Sequence, residues 1–510
     1  MPLRWRELFT SKVDRKLPWN RWDSAALVIG VFTVVWVFAL KLKTFYDLGY
    51  SGDLFLSVQA ARSWLEGKGL LRDNYTGNLL TIHTQFLLVP LGILAKPFGA
   101  PGLLFMLSMA VGATYFCAVR ILRVLGVAGP IALIAAGTIL VSPLSVAFYQ
   151  DAGHGFHVEI LAPALCLVLF YFLLRQRMIP SIVTALAVIS VKEDAPIAAA
   201  VVAIIAGVET WISSAEKPLR CRFNQSAALT LLLSILAIPF LLAVSWSQSP
   251  TEYARHSVDR LGIVPAGSFS NEGIFFAFVG SHVTHWLGSS VVRQWLWIVV
   301  VGSFGTILLR PCYIVIGLPT TVVAWLVHGA RRADDLLWPP RFSPVEALLW
   351  CVTLVGFASI VRLSMSAERR TRIIILAAAI AVAVLSAFAQ LGFVPKYARE
   401  AYFLRSSSVY SPQERQQADA LFVRYQREGK PEEPVVASTL LFRYAHDRNL
   451  FWLNRLHGRP APIWILGDTA DPYLPLRINL DKADGNSGIR IEDYALIDRY
   501  GRFVLMRKKE

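Results

Sequence analysis

Ten ionisable residues are placed where an apolar run ends or breaks: Asp47, Asp53, His83, Asp151, His154, His157, Glu159, Lys192, Glu193 and Asp194. A carboxylate can take the proton of a hydroxyl group, and a cation or metal can absorb the charge of a leaving phosphate. Asp53, Asp47, His83, His154, His157, Glu159, Lys192, Glu193 and Asp194 are the candidate site residues. The run His154-Gly-Phe-His157-Val-Glu159 puts two imidazoles at i, i+3. On a helix they share one face. With Glu159 they make a candidate donor set for a divalent metal, a spacing that chance also produces.

Each residue also has a plainer reading. Asp53, before Leu-Phe-Leu-Ser-Val-Gln, reads as a helix N-cap. His83 reads as a helix-end histidine bonded to backbone. Lys192-Glu193-Asp194 reads as a solvated loop whose Lys and Glu pair with each other.

The elements that must carry these groups are apolar. Of 510 residues, 55% are hydrophobic and 17% charged, and the mean hydropathy is +0.50. These values predict a mainly α, polytopic membrane bundle of about 11–12 membrane segments rather than a soluble fold. The net charge of +15 comes from short basic clusters between apolar runs. This is the positive-inside pattern of a membrane protein, not a nucleic-acid-binding surface. Candidate crossings, needing roughly 20 apolar residues each, fall near 24–42, 101–119, 127–148, 156–174, 226–245, 291–309, 311–327, 344–361 and 373–391.

Residues 1–23 read as a cytoplasmic basic interfacial segment, residues 24–392 as the transmembrane domain with an outer loop at 43–78, and residues 393–510 as an extracytoplasmic α/β domain. The basic N-terminus, Arg120/Arg123, Arg175/Arg177, Lys217/Arg220/Arg222 and Arg369/Arg370/Arg372 set the cytoplasmic side. By that count, Asp53 and the turn 149–157 share the outer side. Parity then requires that 79–98 or 101–119 be incomplete, and 79–98, with Pro90 and Lys96-Pro97, is the better candidate. Likewise 179–211 reads as two short arms meeting at Lys192-Glu193-Asp194, an expensive apex unless it is paired or wet.

A second outer loop, 246–290, carries Arg255, His256, His282 and His285, and a third carries Arg331, Arg332, Asp334 and Asp335. In the C-terminal region a helix is predicted over Pro412–Glu428. Strands are predicted at 434–438, 462–466, 494–497 and 502–506, with a turn at 498–501. The five cysteines, Cys117, Cys166, Cys221, Cys312 and Cys351, lie in or beside apolar segments and show no disulfide or metal spacing.

The stretch Ser51-Gly-Asp53-Leu-Phe-Leu-Ser-Val-Gln-Ala-Ala-Arg-Ser-Trp-Leu65-Glu-Gly-Lys-Gly-Leu70 resembles the first extracytoplasmic loop of the GT-C glycosyltransferase superfamily. Tyr46-Asp47-Leu48-Gly49, His83, His154-Gly-Phe-His157-Val-Glu159 and Lys192-Glu193-Asp194 together resemble the domain-of-unknown-function 2079 family of bacterial membrane proteins, itself GT-C-like. The resemblance is good over about residues 40–210 and loose afterwards.

It implies a bacterial inner-membrane enzyme that takes a polyprenyl-phosphate-linked sugar at the outer face, with Asp53 as base and Lys192 on the phosphate. Two features depart from the superfamily. Leu54, not a second acid, follows Asp53, and His83-Thr-Gln-Phe stands where a Pro-Pro is usual. The alternatives are a transporter or flippase for a polyprenyl-linked or anionic substrate, which would show paired broken helices, and a scaffold whose outer domain recruits an envelope partner.

Overall fold

The structure is a computed structural model that describes residues 13–74, 77–81, 83–151, 153–214, 224–248, 290–317, 339–394, 410–444, 449–451, 461–470 and 491–509. The loops carrying Arg255, His256, His282, His285, Arg331, Arg332, Asp334 and Asp335, and the cluster Lys217/Arg220/Arg222, lie outside the described residues.

The first helix, α1 (Arg21–Tyr46), begins at a capping box. Asn20 accepts from the Trp22 amide and Asp23 accepts from the Asn20 amide, so two of the unpaired donors of the first turn are satisfied. At about 1.5 Å per residue it is long enough to cross a bilayer. Val28, Phe32 and Val35 are exposed along it, as a lipid-facing surface requires. It packs on α4 (Ala100–Val124) where Gly30 and Gly112 bring the two backbones together. A Cβ at Gly30 would lie 3.2 Å from the Gly112 carbonyl oxygen, the close approach that small residues allow between membrane helices.

Between these two helices lie α2 (Gly52–Arg62) and α3 (Leu88–Phe98), each of 11 residues and too short to span. The incomplete element that parity requires is therefore α3. The predicted crossing at 127–148 is instead a pair, α5 (Gly129–Leu140) and α6 (Pro143–Gln150), bent by 59°. Pro143 cannot donate to the α5 ladder, so the helix restarts there with Ser142 as its cap.

Next come α7 (Leu161–Leu174), α8 (Met178–Ile189), α9 (Ala195–Ser213) and α10 (Gln225–Gln248). The predicted crossing at 291–309 is also broken. The helix α11 (Ser290–Gly302) stops, Gly305 takes a left-handed φ of 68°, and a 3-10 turn covers Thr306–Leu309. The last two helices of the bundle are α12 (Pro339–Ser366) and α13 (Arg369–Phe393). Among the described residues, five helices are long and apolar enough to cross a membrane, six with the bent pair, and four more are apolar but shorter. The chain is a polytopic membrane protein.

The basic ends gather on one face. Asp14 donates its amide to the Val124 carbonyl, and Asp23 is ion-paired to Arg120 and Arg123. Arg175 donates to the Arg15 carbonyl, and Arg15 donates to Ser214. Arg362 reaches the Leu125 carbonyl.

The opposite face carries α2, α3 and the small C-terminal unit. That unit consists of α14 (Pro412–Glu428) and five strands, β1 (Pro434–Ala437), β2 (Asn449–Phe451), β3 (Trp464–Asp468), β4 (Tyr494–Tyr500) and β5 (Phe503–Lys508). Their order is β2-β1-β3-β5-β4. β1 runs parallel to β2 and β3, and β5 runs antiparallel to β3 and β4. α14 has the predicted bounds. β2 was not predicted, and β4 continues through Tyr500, so the turn falls two residues later than the sequence suggests. Cys117, Cys166, Cys312 and Cys351 are free thiols.

Candidate functional site

Asp53 is not the N-cap of its helix. Ser51 holds that position, and Asp53 lies in the first turn of α2, where a carboxylate suits the positive end of the helix. Opposite it is the turn after α6. Asp151 takes a left-handed φ of 43°, and Gly153 and Gly155 take 88° and 82°, so the chain curls instead of continuing as a helix. His154 and His157 are therefore brought together by a turn rather than by one helical face, their ring centres 5.0 Å apart. Gly155 has a packing reason as well: a Cβ there would lie 2.7 Å from the Tyr50 ring. The turn is tied down at both ends. Ser51 donates its amide to the Gly153 carbonyl at 2.6 Å. Lys41 of α1, buried, donates to the Gln150 and Gly155 carbonyls, both at 3.1 Å.

The result is a compact triad. His154 Nδ1 stands 2.7 Å from Asp53 Oδ2, and His157 Nε2 stands 3.6 Å from the same oxygen. The other nitrogen of His157, Nδ1, is 2.8 Å from Asp151 Oδ2. Asp151 is 1% exposed, whereas the side chains of Asp53 and His154 are about a third exposed. The triad is buried on the Asp151 side and open on the Asp53 side. Burial works against the charge of Asp53, but the hydrogen bond from His154 and the pull of His157 outweigh it and hold the carboxyl well below the usual carboxylate range. Burial likewise works against the His157 imidazolium. The charge and hydrogen bond of Asp151, then the nearby Asp53 carboxylate, outweigh it and raise the imidazole well above its usual value.

A second ionic cluster adjoins the first. His83 Nδ1 is 2.9 Å from Glu193 Oε1, and the Thr84 amide donates to Glu193 Oε2 at 3.2 Å. Lys192 Nζ is 3.2 Å from Glu159 Oε1, which also accepts from Gln85 at 3.0 Å. Lys192, Glu193 and Asp194 are all buried. In the Lys192–Asp194 apex, Lys192 is thus paired with Glu159 and Glu193 with His83 and Thr84, and His83 meets a side chain instead of backbone. Burial opposes both charges here. The Glu159 carboxylate, with those of Asp194 and Glu193, still raises the Lys192 amine. The nearby His83, then Lys192, holds the Glu193 carboxyl well below the carboxylate range.

Three expected placements change. Glu159 faces Lys192 and Gln85, so the three candidate metal ligands that converge are Asp53, His154 and His157, whose donor atoms lie within 4.8 Å of one another. Lys192, expected on a phosphate, is buried against Glu159. Asp47 caps α1 and pairs with Lys43 at 2.5 Å and with Arg415 of α14.

Lys41, Ser51, Thr84 and Gln85 were not singled out in the sequence. Lys41 sits inside an apolar run and Gln85 in an unpatterned stretch, and periodicity marks neither.

A family model described as "Predicted membrane protein (DUF2079)" matches residues 41–391, more than two thirds of the chain. The chain belongs to the DUF2079 family. Both ionic clusters of this DUF2079 protein lie inside the matched region. No curated protein matches it. Among solved structures it is similar to ArnT from Cupriavidus metallidurans bound to undecaprenyl phosphate. Identity there is 12%, the TM-score is 0.48, and the match covers 94% of this chain and 97% of that one. The apo state of ArnT matches at 11% identity and a TM-score of 0.44, covering 93% and 97%.

The C-terminal unit of this DUF2079 protein is packed against the helix that carries Asp53. Gln59 and Asn74 both donate to the Leu450 carbonyl, at 3.2 and 2.7 Å. Phe55 meets Phe442 edge to face, and Arg443 donates to the Tyr46 carbonyl.

Proposed function

We propose that this protein is a GT-C-type glycosyltransferase that takes a polyprenyl-phosphate-linked sugar at the outer face of the bacterial inner membrane. The observation that carries the proposal is the meeting of Asp53 with His154 and His157, open on one side, on the face opposite the gathered arginines. The positive-inside rule assigns those arginines to the cytoplasm, and hence Asp53 and the C-terminal domain to the outside. The undecaprenyl phosphate of the ArnT structure is a ligand of that protein; the proposal rests on the groups of this chain.

A carboxyl held as low as that of Asp53 is a poor base while the histidines bind it. A donor phosphate entering the open side offers those imidazoles a better anion. Asp53 then loses its hydrogen bonds and recovers basicity beside the acceptor. The acceptor hydroxyl gives its proton to Asp53 as its oxygen bonds to the anomeric carbon. The bond from that carbon to the phosphate oxygen breaks, and the side chains of His154 and His157 stabilise the departing phosphate. His83, Glu193 and the Lys192–Glu159 pair position the neighbouring wall. Proteoliposomes given labelled polyprenyl-phosphate sugars test the proposal: wild type should transfer label and Asp53→Asn should not, and equal transfer by both removes Asp53 as the base.

A second reading, transport, is favoured by one observation. The bend between α5 and α6 and the break after α11 meet at a single buried side chain, Gln390, which accepts from the Leu144 amide at 3.2 Å and donates to the Val301 carbonyl at 3.1 Å. Discontinuous helices meeting inside the bundle are a transporter feature. Substrate movement across proteoliposomes without chemical turnover would support it.

A further inference from the structure

We infer that Asp53, His154 and His157 form a binding site for a single first-row divalent transition ion of the zinc class. The inference does not depend on sugar transfer. It rests first on the donor set: two imidazoles and one carboxylate suit such ions, whereas calcium and magnesium take oxygen ligands.

It rests second on spacing. Two ligand atoms on one tetrahedral ion, with bonds of about 2.0–2.1 Å, stand roughly 3.3 Å apart. His157 Nε2 and Asp53 Oδ2 are 3.6 Å apart, longer than a good hydrogen bond and close to that edge. His154 Nδ1 is nearer, at 2.7 Å, belongs to the more exposed of the two imidazoles, and also faces Ser51 Oγ at 3.1 Å.

The third support is the surroundings of His157. It gives Nδ1 to Asp151, which is buried, and so presents Nε2 to the site. A carboxylate fixing the far nitrogen of a ligating histidine is the usual outer support of a metal centre. Lys41 and Ser51 hold the turn that carries both histidines, so the arrangement is set before any ion arrives.

Three protein ligands leave a fourth position on the open side, the arrangement of sites that act on a bound molecule. There the ion would take a phosphate or hydroxyl oxygen. Asp53 would ligate through Oδ2 and keep its second oxygen for a proton.

The test is metal uptake by the purified full-length chain in detergent, stripped with a chelator and titrated calorimetrically with ZnCl₂. Wild type should take up one equivalent. Asp53→Asn, His157→Gln and Asp151→Asn should each weaken uptake about 10–100-fold, and Glu66→Gln should bind as wild type does. No uptake by folded wild type, or unaltered affinity in Asp53→Asn and His157→Gln, overturns the inference. Should a histidine variant fail to fold, cobalt(II) decides the matter. Wild type should show visible d–d absorption that Asp53→Asn lacks, and a wild type without that absorption overturns it. Because every readout is metal binding, a failure of sugar transfer leaves this result standing, and the reverse also holds.

Discussion

Lys41 donates to the carbonyl of Gly155, 114 positions away in sequence, at 3.1 Å. A buried amine near the end of the first helix thus holds the turn that carries His154. Lys41→Met keeps an unbranched side chain of nearly the same length and leaves the buried Gly155 carbonyl and the part-buried Gln150 carbonyl without this donor, a loss of about 1–3 kcal/mol for the buried one. Amide hydrogen exchange over residues 150–157 should rise about tenfold or more, while α4 remains protected. Unchanged exchange in the turn would show that Lys41 does not hold it.

Asp47 and Arg415 join the end of α1 to the C-terminal helix. Both side chains are partly exposed, so their coupling should be no more than about 1 kcal/mol. A double-mutant cycle with Asp47→Asn and Arg415→Gln, read from thermal unfolding in detergent, measures it. A small coupling together with a hundredfold loss of sugar transfer in Asp47→Asn would place Asp47 among the reacting groups rather than at the interface.

Gln390 is fully buried and serves the two helix breaks at once, as acceptor for Leu144 and donor for Val301. Gln390→Leu strands a buried amide and a buried carbonyl. A destabilisation of about 2–5 kcal/mol is expected, seen as a clear fall in the thermal midpoint. An unaltered midpoint would mean that the breaks are satisfied by other groups.

Glu193 gives a pH signature. Its carboxyl is held below the value of an unfolded glutamate, about 4.3, so the folded protein binds fewer protons than the unfolded chain between the two values. The stability it contributes is complete above about pH 4.3 and is lost as pH falls through the folded value. Glu193→Gln should therefore be less stable than wild type at pH 6. The gap between their thermal midpoints should narrow below about pH 4. A gap independent of pH would remove the charge of Glu193 from the account.

The limits of sequence reading show at particular residues. Short apolar runs broken by Pro90 and Pro97 and by the Lys192 apex marked α3 and the short α8, because length against bilayer thickness is a local property; the second arm, α9, is not short but a 19-residue helix long enough to cross. The bend at Pro143 and the break at Gly305 were read as straight crossings, because hydropathy averages over a residue that only backbone geometry exposes. The segment carrying His154 and His157 was legible as a turn between two apolar runs, but not how its histidines meet; the left-handed Asp151 and the two glycines decide that. Strand β2, three residues long, is too short to leave a period-2 signal.

The sequence by itself determined a polytopic helical membrane protein with a small α/β unit, its basic ends, and the residue types able to do chemistry. Each of these follows from composition, run length or local pattern, which neighbouring residues settle among themselves. Tertiary structure alone decided the partnerships: His157 with Asp151 and Asp53, Lys192 with Glu159, Glu193 with His83, Asp47 with Arg415. Those pairs join segments up to several hundred residues apart, and only the packing of the helices brings such groups within hydrogen-bonding reach.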